Sequence, residues 1–530
     1  MKIPVFLLLM AIAIAPAEPV TIVVTDYATM PITGALDGEG NNAGALARIN
    51  TMRQEPSSAA RVFVADLTGP LYILNSATRR AAKYLDLNGR ARGGVFHRFT
   101  FETGLASGFI SFAFDPDYAN NGRFYTIHLE DVDARISALP DNASVSGLKV
   151  DGYTPTDPVR TPGDDTHEAV LVEWTDTNRS DTTFQGTARE LLRIPAGSRF
   201  HPMGDLAFNP TARPGDSDWR VLYIGCGDSA AGEQKTAIRL NPQRLDTLAG
   251  KILRIVPDLS IDTSSSTVGE NGRYRVPNDN PFTSVAGARK EIWAYGLRNP
   301  HRLAWDVDAG GADGNHLIAN VVGLNTWETV VIVHRGANYG YSEREGTQQL
   351  RADNTLADLP ADDRIAVHVT DALTNGVVTP SYPVLEYGHD RSGGDAIAGG
   401  FVYRGRAIPA LRGKYVLGDT TTGRLWWADF REMLAADGSH PPKVAPLHEL
   451  GVSWKGRAYP TLFEIAKTAY HERGGKHAEL PGRATLAPNG RVDLRFGVDR
   501  DGELYLLTKS DGVIRKIVGV ESPAAPKEPR

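Results

Sequence analysis

The chain has 530 residues, of which 23% are charged, and 57 Lys and Arg stand against 63 Asp and Glu for a formal net charge of −6. That length is ample for a large buried core. The well-mixed charge offers no basic stripe, which argues against a nucleic-acid partner. A single cysteine, Cys226, excludes an intrachain disulfide, and within LYIGCGD it reads as a small buried residue.

The N-terminus, MKIPVFLLLMAIAIAPAEPV, has one Lys, an apolar run from Ile3 to Ala15 and the small-residue site Ala15-Pro16-Ala17. The run is short for a bilayer span, and the ending fits cleavage, so residues 1–17 are expected to be a signal peptide. The mature protein is then exported, periplasmic or secreted, and not membrane-spanning.

From there the 54 Gly and 33 Pro are spread along the chain and helical periodicity is scarce. One pattern recurs at 61–74, 110–129, 204–228, 301–321, 414–430 and 494–517: an apolar-alternating strand, an Asp/Asn/Gly turn and a second apolar strand. Acidic and glycine residues enter turn conformations that β-branched residues avoid, so each segment predicts a hairpin. Repetition of small antiparallel sheets predicts an all-β chain, a six-bladed β-propeller over 18–520 with loop insertions at roughly 130–170, 258–285, 345–380 and 435–490. Two β-sandwich domains are the competing architecture, but no linker separates the units. Residues 459–473 carry the one helical pattern, and the Pro-rich tail 521–530 reads as disordered.

Several residues have chemistry to offer. His201 in SRFHPMGDLAFNP sits at a strand start and reads equally as a general base or a structural hydrogen-bonder. In KEIWAYGLRNPHRLAWD, Arg298 supplies a planar donor fork, Asn299 donates and accepts, and Pro300 fixes the backbone. Such a pair suits a planar polyanion with carbonyl oxygens, or a salt bridge to a neighbouring sheet. The stretch VVGLNTWETV, with Gly323, Leu324, Asn325 and Glu328, followed by GANYGY, offers oxygens of the kind Ca²⁺ takes, as ordinary turns also do. Arg424 and Lys509 are cations at turns, where most are simply solvated. No G-x-G-x-x-G follows a strand in a βαβ unit, and neither a G-x-S-x-G elbow nor an H-E-x-x-H helix is present.

Taken in order, GFISFAFDPDYANNGRFY, FHPMGDLAFNP, LYIGCGD, GKILRIVPD, VPNDNPF, KEIWAYGLRNPHRLAWD, GANYGY and GGFVYRGRAIPALRGKYVLGDTTTGRLW resemble the glucose/sorbosone dehydrogenase family, in particular its soluble aldose sugar dehydrogenases. The resemblance runs from about 60 to 517. It implies a six-bladed propeller that binds pyrroloquinoline quinone (PQQ) and Ca²⁺ at one end. It implies that His201 is the catalytic base, that Arg298 and Asn299 contact the quinone, with Arg298 stabilising charge on its oxygen, and that Arg424 faces its carboxylates. It further implies that the carbonyls of Gly323 and Leu324 hold the cofactor Ca²⁺, while His301 is structural. The chain departs from the family at Ser107, where many members have Gln on the sugar side, at Leu324 within the Gly-x-Asn loop, and at Asn320 or Val321, where an acid is common.

The expected activity is oxidation of an aldose or related sugar hydroxyl to its lactone, with electrons passed to a separate acceptor. The alternative is a propeller that binds carbohydrate or protein without turnover. A propeller lactonase would need several carboxylates on the axis, which the sequence does not single out.

Overall fold

A computed structural model describes residues 20–37, 44–101, 107–132, 137–163, 165–308 and 315–521. The expected signal peptide at 1–17 lies outside the described residues, as does the tail beyond Glu521. Strands dominate, and the longest described helix, Phe463–Glu472, falls on the segment whose helical pattern the sequence showed.

Local chemistry explains the strand turns. In DRDG, at 499–502, Asp499 accepts the N–H groups of Asp501 and Glu503 through Oδ1, and Gly502 takes φ +79°, so Leu494–Val498 folds back on Leu504–Thr508 with Val498 opposite Leu504. The turn after Lys414–Asp419 is built alike: Asp419 Oδ1 accepts from Thr421 and Thr422, and Gly423 stands at φ +70°. All six hairpins expected from the sequence fall on consecutive antiparallel strands.

Hydrogen bonding gathers these strands unevenly. A five-stranded sheet begins with Phe109–Phe114, and two four-stranded sheets begin with Met203–Phe208 and Asn299–Asp306. A thirteen-stranded sheet takes in the rest of the large strands. Within it, the run from Ile397–Val402 to His448–Trp454 is joined by parallel pairing of Leu450–Trp454 to Val20–Val24. The strand Val20–Thr29 then pairs antiparallel with Val513–Glu521, so the two ends of the chain are tied into one sheet. A single parallel bridge, Arg53 to Val498, carries the sheet on to Ile49–Gln54. The strands Ile49–Gln54, Phe109–Phe114, Met203–Phe208, Asn299–Asp306, Ile397–Val402 and Leu494–Val498 each pack against the next, and the last returns to the first.

The sheets bury apolar faces against one another. Trp174, fully buried, lies edge-on to Phe184 at 5.3 Å between ring centres and donates its indole N–H to Thr126 Oγ1 at 2.8 Å. Three of the expected loop insertions carry structure of their own. Ser266–Val268 pairs with Arg275–Pro277, Ile365–His368 pairs with Thr374–Val378, and the helix Phe463–Glu472 fills part of 435–490. Pro300 is likewise no loop residue. It pairs with Val321 inside Asn299–Asp306, and the register shifts just after it, which suits a residue with no N–H to give the ladder.

Candidate functional site

In an antiparallel run of four strands, the connection entering the first strand and the connection between the second and third lie at the same end. The connections preceding Met203–Phe208 and Asn299–Asp306 are therefore brought beside those that follow Leu222–Cys226 and His316–Val322. His201, Asp228, Arg298 and Gly323 meet there.

His201 stands at φ +50°, a left-handed conformation that a non-glycine residue adopts at a cost. Its partners hold it there. Its carbonyl accepts from Ser229 N–H at 3.2 Å, and Gly227 donates to the Pro202 carbonyl at 3.0 Å. Gly227 has to be glycine, because a Cβ at that position would collide with the His201 carbonyl. Asp228 is the junction of the site: its N–H donates to the Arg298 carbonyl at 2.8 Å, and its Oδ1 lies 2.8 Å from His201 Nδ1. The same Oδ1 accepts from Ala230 N–H at 2.9 Å, and Oδ2 accepts from Gly232 N–H at 2.8 Å. A buried carboxylate on Nδ1 keeps the proton on that nitrogen and leaves Nε2 as the basic one.

Burial pushes the His201 pKa down, and the nearby charge of Arg298 pushes it further, against the opposing pull of Asp228 and Glu233. For Asp228, burial acts upward, but the bond from His201 and the charges of His201 and Arg298 outweigh it and hold the carboxyl below its usual range. The imidazole is thus neutral, oriented and paired with a permanent anion.

Arg298 donates through Nη2 to Glu233 Oε2 at 2.8 Å and through Nη1 to the carbonyls of Gly323 and, at 3.4 Å, Val322. Its Nε is buried without a partner, and so is the hydroxyl of Tyr341, whose ring packs over Gly232. The loop 323–327 is held from behind by two carboxylates. Glu328 Oε1 accepts from Gly323 N–H at 3.1 Å, while one oxygen of Glu345 accepts from Leu324, Asn325, Thr326 and Trp327 at 2.9 to 3.2 Å. Successive N–H groups converging on one anion form the concave nest that backbone makes for negative charge. Glu328 also bonds His389 Nε2 at 2.6 Å and the N–H of Ile397 at 2.7 Å, tying this loop to the next connection.

The remaining residues singled out by sequence lie differently. Asn299 begins its strand opposite Val322, and its amide has no hydrogen bond among the described residues. Arg424 donates to the carbonyls of Arg391 and Gly393 at 2.7 and 3.2 Å and pairs with Glu449 at 2.9 Å, so its charge is engaged by these groups. Ser107 is fully buried, and Asn320 lies inside its strand, accepting from the Tyr415 hydroxyl at 2.7 Å. His301 is buried with Nε2 unpartnered, and Lys509 is buried near Asp493, Arg48 and Arg495. Cys226 is buried, as expected. Sequence reasoning assigned no role to Asp228, Glu233, Tyr341 or Glu345. The first follows a strand end as Gly-Asp in LYIGCGD, a signal too common to rank, and Glu345 sits in what read as an insertion.

Comparison with known proteins places the chain in a family. Residues 60–438 match the Glucose / Sorbosone dehydrogenase family. The chain belongs to that family. HIPL1 protein of Arabidopsis thaliana is 26% identical over 486 residues, covering 88% of this chain and 61% of the relative, so the chain spans about three fifths of that curated protein. Aldose sugar dehydrogenase YliI of Escherichia coli is 30% identical over 160 residues, 30% of this chain and 33% of the relative. The PQQ-bound aldose sugar dehydrogenase of Streptomyces coelicolor superposes with a TM-score of 0.50 at 17% identity, over 96% of this chain and 99% of that one.

Proposed function

We propose that the protein is an exported quinoprotein sugar dehydrogenase, which oxidises an aldose or a related sugar hydroxyl to its lactone with PQQ as hydride acceptor and hands the electrons to a separate acceptor. The observation that carries this reading is His201 with Nδ1 tied to buried Asp228 and Nε2 left over, beside the guanidinium of Arg298. A scaffold that only binds has no need of an oriented neutral base. The cyclic contact of six first strands supports dividing the thirteen-stranded sheet at its two parallel junctions, which yields a six-bladed propeller with the site on one end.

The residues fit a quinone. Arg298 Nε and the Tyr341 hydroxyl are buried donors without acceptors, and a ligand with carbonyl oxygens supplies what they lack. The loop 323–327 offers carbonyl oxygens of the kind Ca²⁺ takes, and in this arrangement the Gly323 carbonyl accepts from the Arg298 guanidinium, so a cation there would displace that donor. No step is routed through a metal.

When bound, PQQ supplies the acceptor for the hydride leaving the sugar carbon. The chain does the rest. His201 Nε2 takes the hydroxyl proton, so that the substrate loses a proton to the protein and a hydride to the cofactor. Asp228 holds the ring and stabilises the imidazolium that forms. Arg298 provides fixed positive charge where negative charge develops, in a setting that excludes most water. Glu345 and Glu328 keep the 323–327 loop from following Arg298.

The test is an absorbance titration of the purified protein with PQQ, with and without Ca²⁺ or chelator, followed by a panel of aldoses. Stoichiometric binding and bleaching of the quinone band by a sugar support the enzyme. Failure to bind PQQ under any of these conditions leaves a propeller that binds carbohydrate or protein without turnover.

A further inference from the structure

A cavity of about 680 Å³ opens at the opposite ends of the same first strands. His201 and Arg298 precede their strands, whereas Arg53, Phe208, Arg302, Phe401 and Phe496 lie within or at the far ends of theirs. The volume is that of a small-molecule site, and it is separate from the one described above.

Two guanidiniums floor this space. Arg53 donates through Nε to the Phe112 carbonyl at 2.6 Å and through Nη2 to Asp205 Oδ1 at 3.1 Å and the Leu206 carbonyl at 2.8 Å. Arg302 donates to the carbonyls of His301 at 2.6 Å, Gly204 at 3.3 Å and Asn50 at 3.3 Å. Among the described residues nothing accepts from Arg53 Nη1 or Arg302 Nε. A third lining residue, Trp305, has its indole N–H buried with no acceptor.

Of the four lining acids, Asp501 is solvent-exposed and the other three are already engaged. Asp205 takes Arg53, Ser111 and Leu206 on one oxygen and the Leu303 N–H on the other. Asp499 is spent on Asp501, Glu503, Tyr505 and Lys516, and Glu55 on Ser57 and Arg61. A sugar, which needs acceptors as well as donors, finds few here. An anion finds donors that want it, and the aromatic walls Phe401 and Phe496 accept an apolar body.

We propose that this cavity is a second ligand site, for an organic anion whose carboxylate or sulfonate meets Arg53 and Arg302 and whose apolar body lies against Phe401 and Phe496. The probe is 8-anilinonaphthalene-1-sulfonate, followed by fluorescence on the full chain, with naphthalene-2-carboxylate and its neutral carboxamide as competitors. Saturable one-to-one binding is expected, with displacement by the carboxylate and not by the amide. Arg53→Gln should weaken binding about tenfold, the scale of a lost charge-assisted hydrogen bond. Val498→Trp, which fills the space from its wall, should abolish binding, and His201→Ala should leave it unchanged. Equal displacement by carboxylate and amide on the native protein overturns the proposal without any variant having to fold. Retained binding in Val498→Trp, or loss in His201→Ala, overturns it as well.

Discussion

Asp228→Asn separates a positioned base from a merely buried histidine. Asp228 faces three donors, the Nδ1–H of His201 and the N–H groups of Ala230 and Gly232, with two acceptor oxygens. An asparagine has one. If its oxygen stays on His201 and Ala230, its amide confronts the Gly232 N–H. If it flips, the amide donates to Nδ1, the ring proton moves to Nε2 and Ala230 is left unpaired. Either orientation strands a buried donor, for about 1–3 kcal/mol of stability. The flipped one also removes the base, and both remove the anion that supports the imidazolium. Loss of general-base catalysis is worth about 10²–10⁴ in rate, or about 3–5 kcal/mol of barrier. The assay is kcat/KM with PQQ-loaded protein and an aldose that bleaches it, alongside ¹⁵N NMR of the imidazole in protein without cofactor, which reads the tautomer independently of turnover. Asp228 raises the His201 pKa, whereas burial and Arg298 lower it, so in the variant any remaining acid limb shifts to lower pH. A variant with kcat/KM within threefold of the parent and Nδ1 still protonated refutes the assignment.

Arg298→Ala should weaken PQQ binding in the absorbance titration, and it should raise the His201 pKa by removing a charge that depresses it, moving the acid limb of turnover upward. Glu345→Ala releases four backbone N–H groups that share one oxygen, and urea unfolding should show a loss of about 2 kcal/mol or more. Burial raises Glu328, and the bond and charge of Glu328 raise His389 despite its own burial. Both groups therefore bind protons more readily folded than unfolded, and their stabilising contribution is full below the unfolded values and falls as pH rises through the folded ones. Replacing His389 with Phe removes its own share of that decline and also the partner that holds Glu328 down, so the remaining decline in denaturation midpoints measured between pH 5 and 9 should belong to Glu328 and move to higher pH. Burial pushes the Cys226 thiol well up, so iodoacetamide should label it only after denaturation; rapid labelling of native protein would contradict its burial.

The hairpins were legible because their cause is local. An alternating strand, an Asp or Gly that can enter a turn and a second strand are all written within some twenty residues, and 494–517 folds as that pattern dictates. The helix at 463–472 was legible for the same reason. What the pattern could not convey is how hairpins fuse: the parallel pairing of Leu450–Trp454 with Val20–Val24 joins residues more than four hundred positions apart, and no local propensity encodes it. The site divides along the same line. His201 and Arg298 stood out as isolated chemistry beside strand starts, but whether either was more than structural depended on Asp228, which reaches both at once through its side chain and its N–H. Arg424 shows the converse. Its turn was read correctly, yet the direction of a long side chain is set by its neighbours, here Glu449 and the carbonyls of Arg391 and Gly393. Glu345 shows what the sequence could not convey about the loop proposed to hold a metal: the peptides that carry the carbonyls of Gly323 and Leu324 are positioned by a carboxylate from an insertion about twenty residues on, and the Gly323 carbonyl accepts from the protein's own guanidinium. The chemistry of a connection in a repeated sheet is therefore decided by the connection beside it, so residue types could be ranked from sequence while their pairing could not.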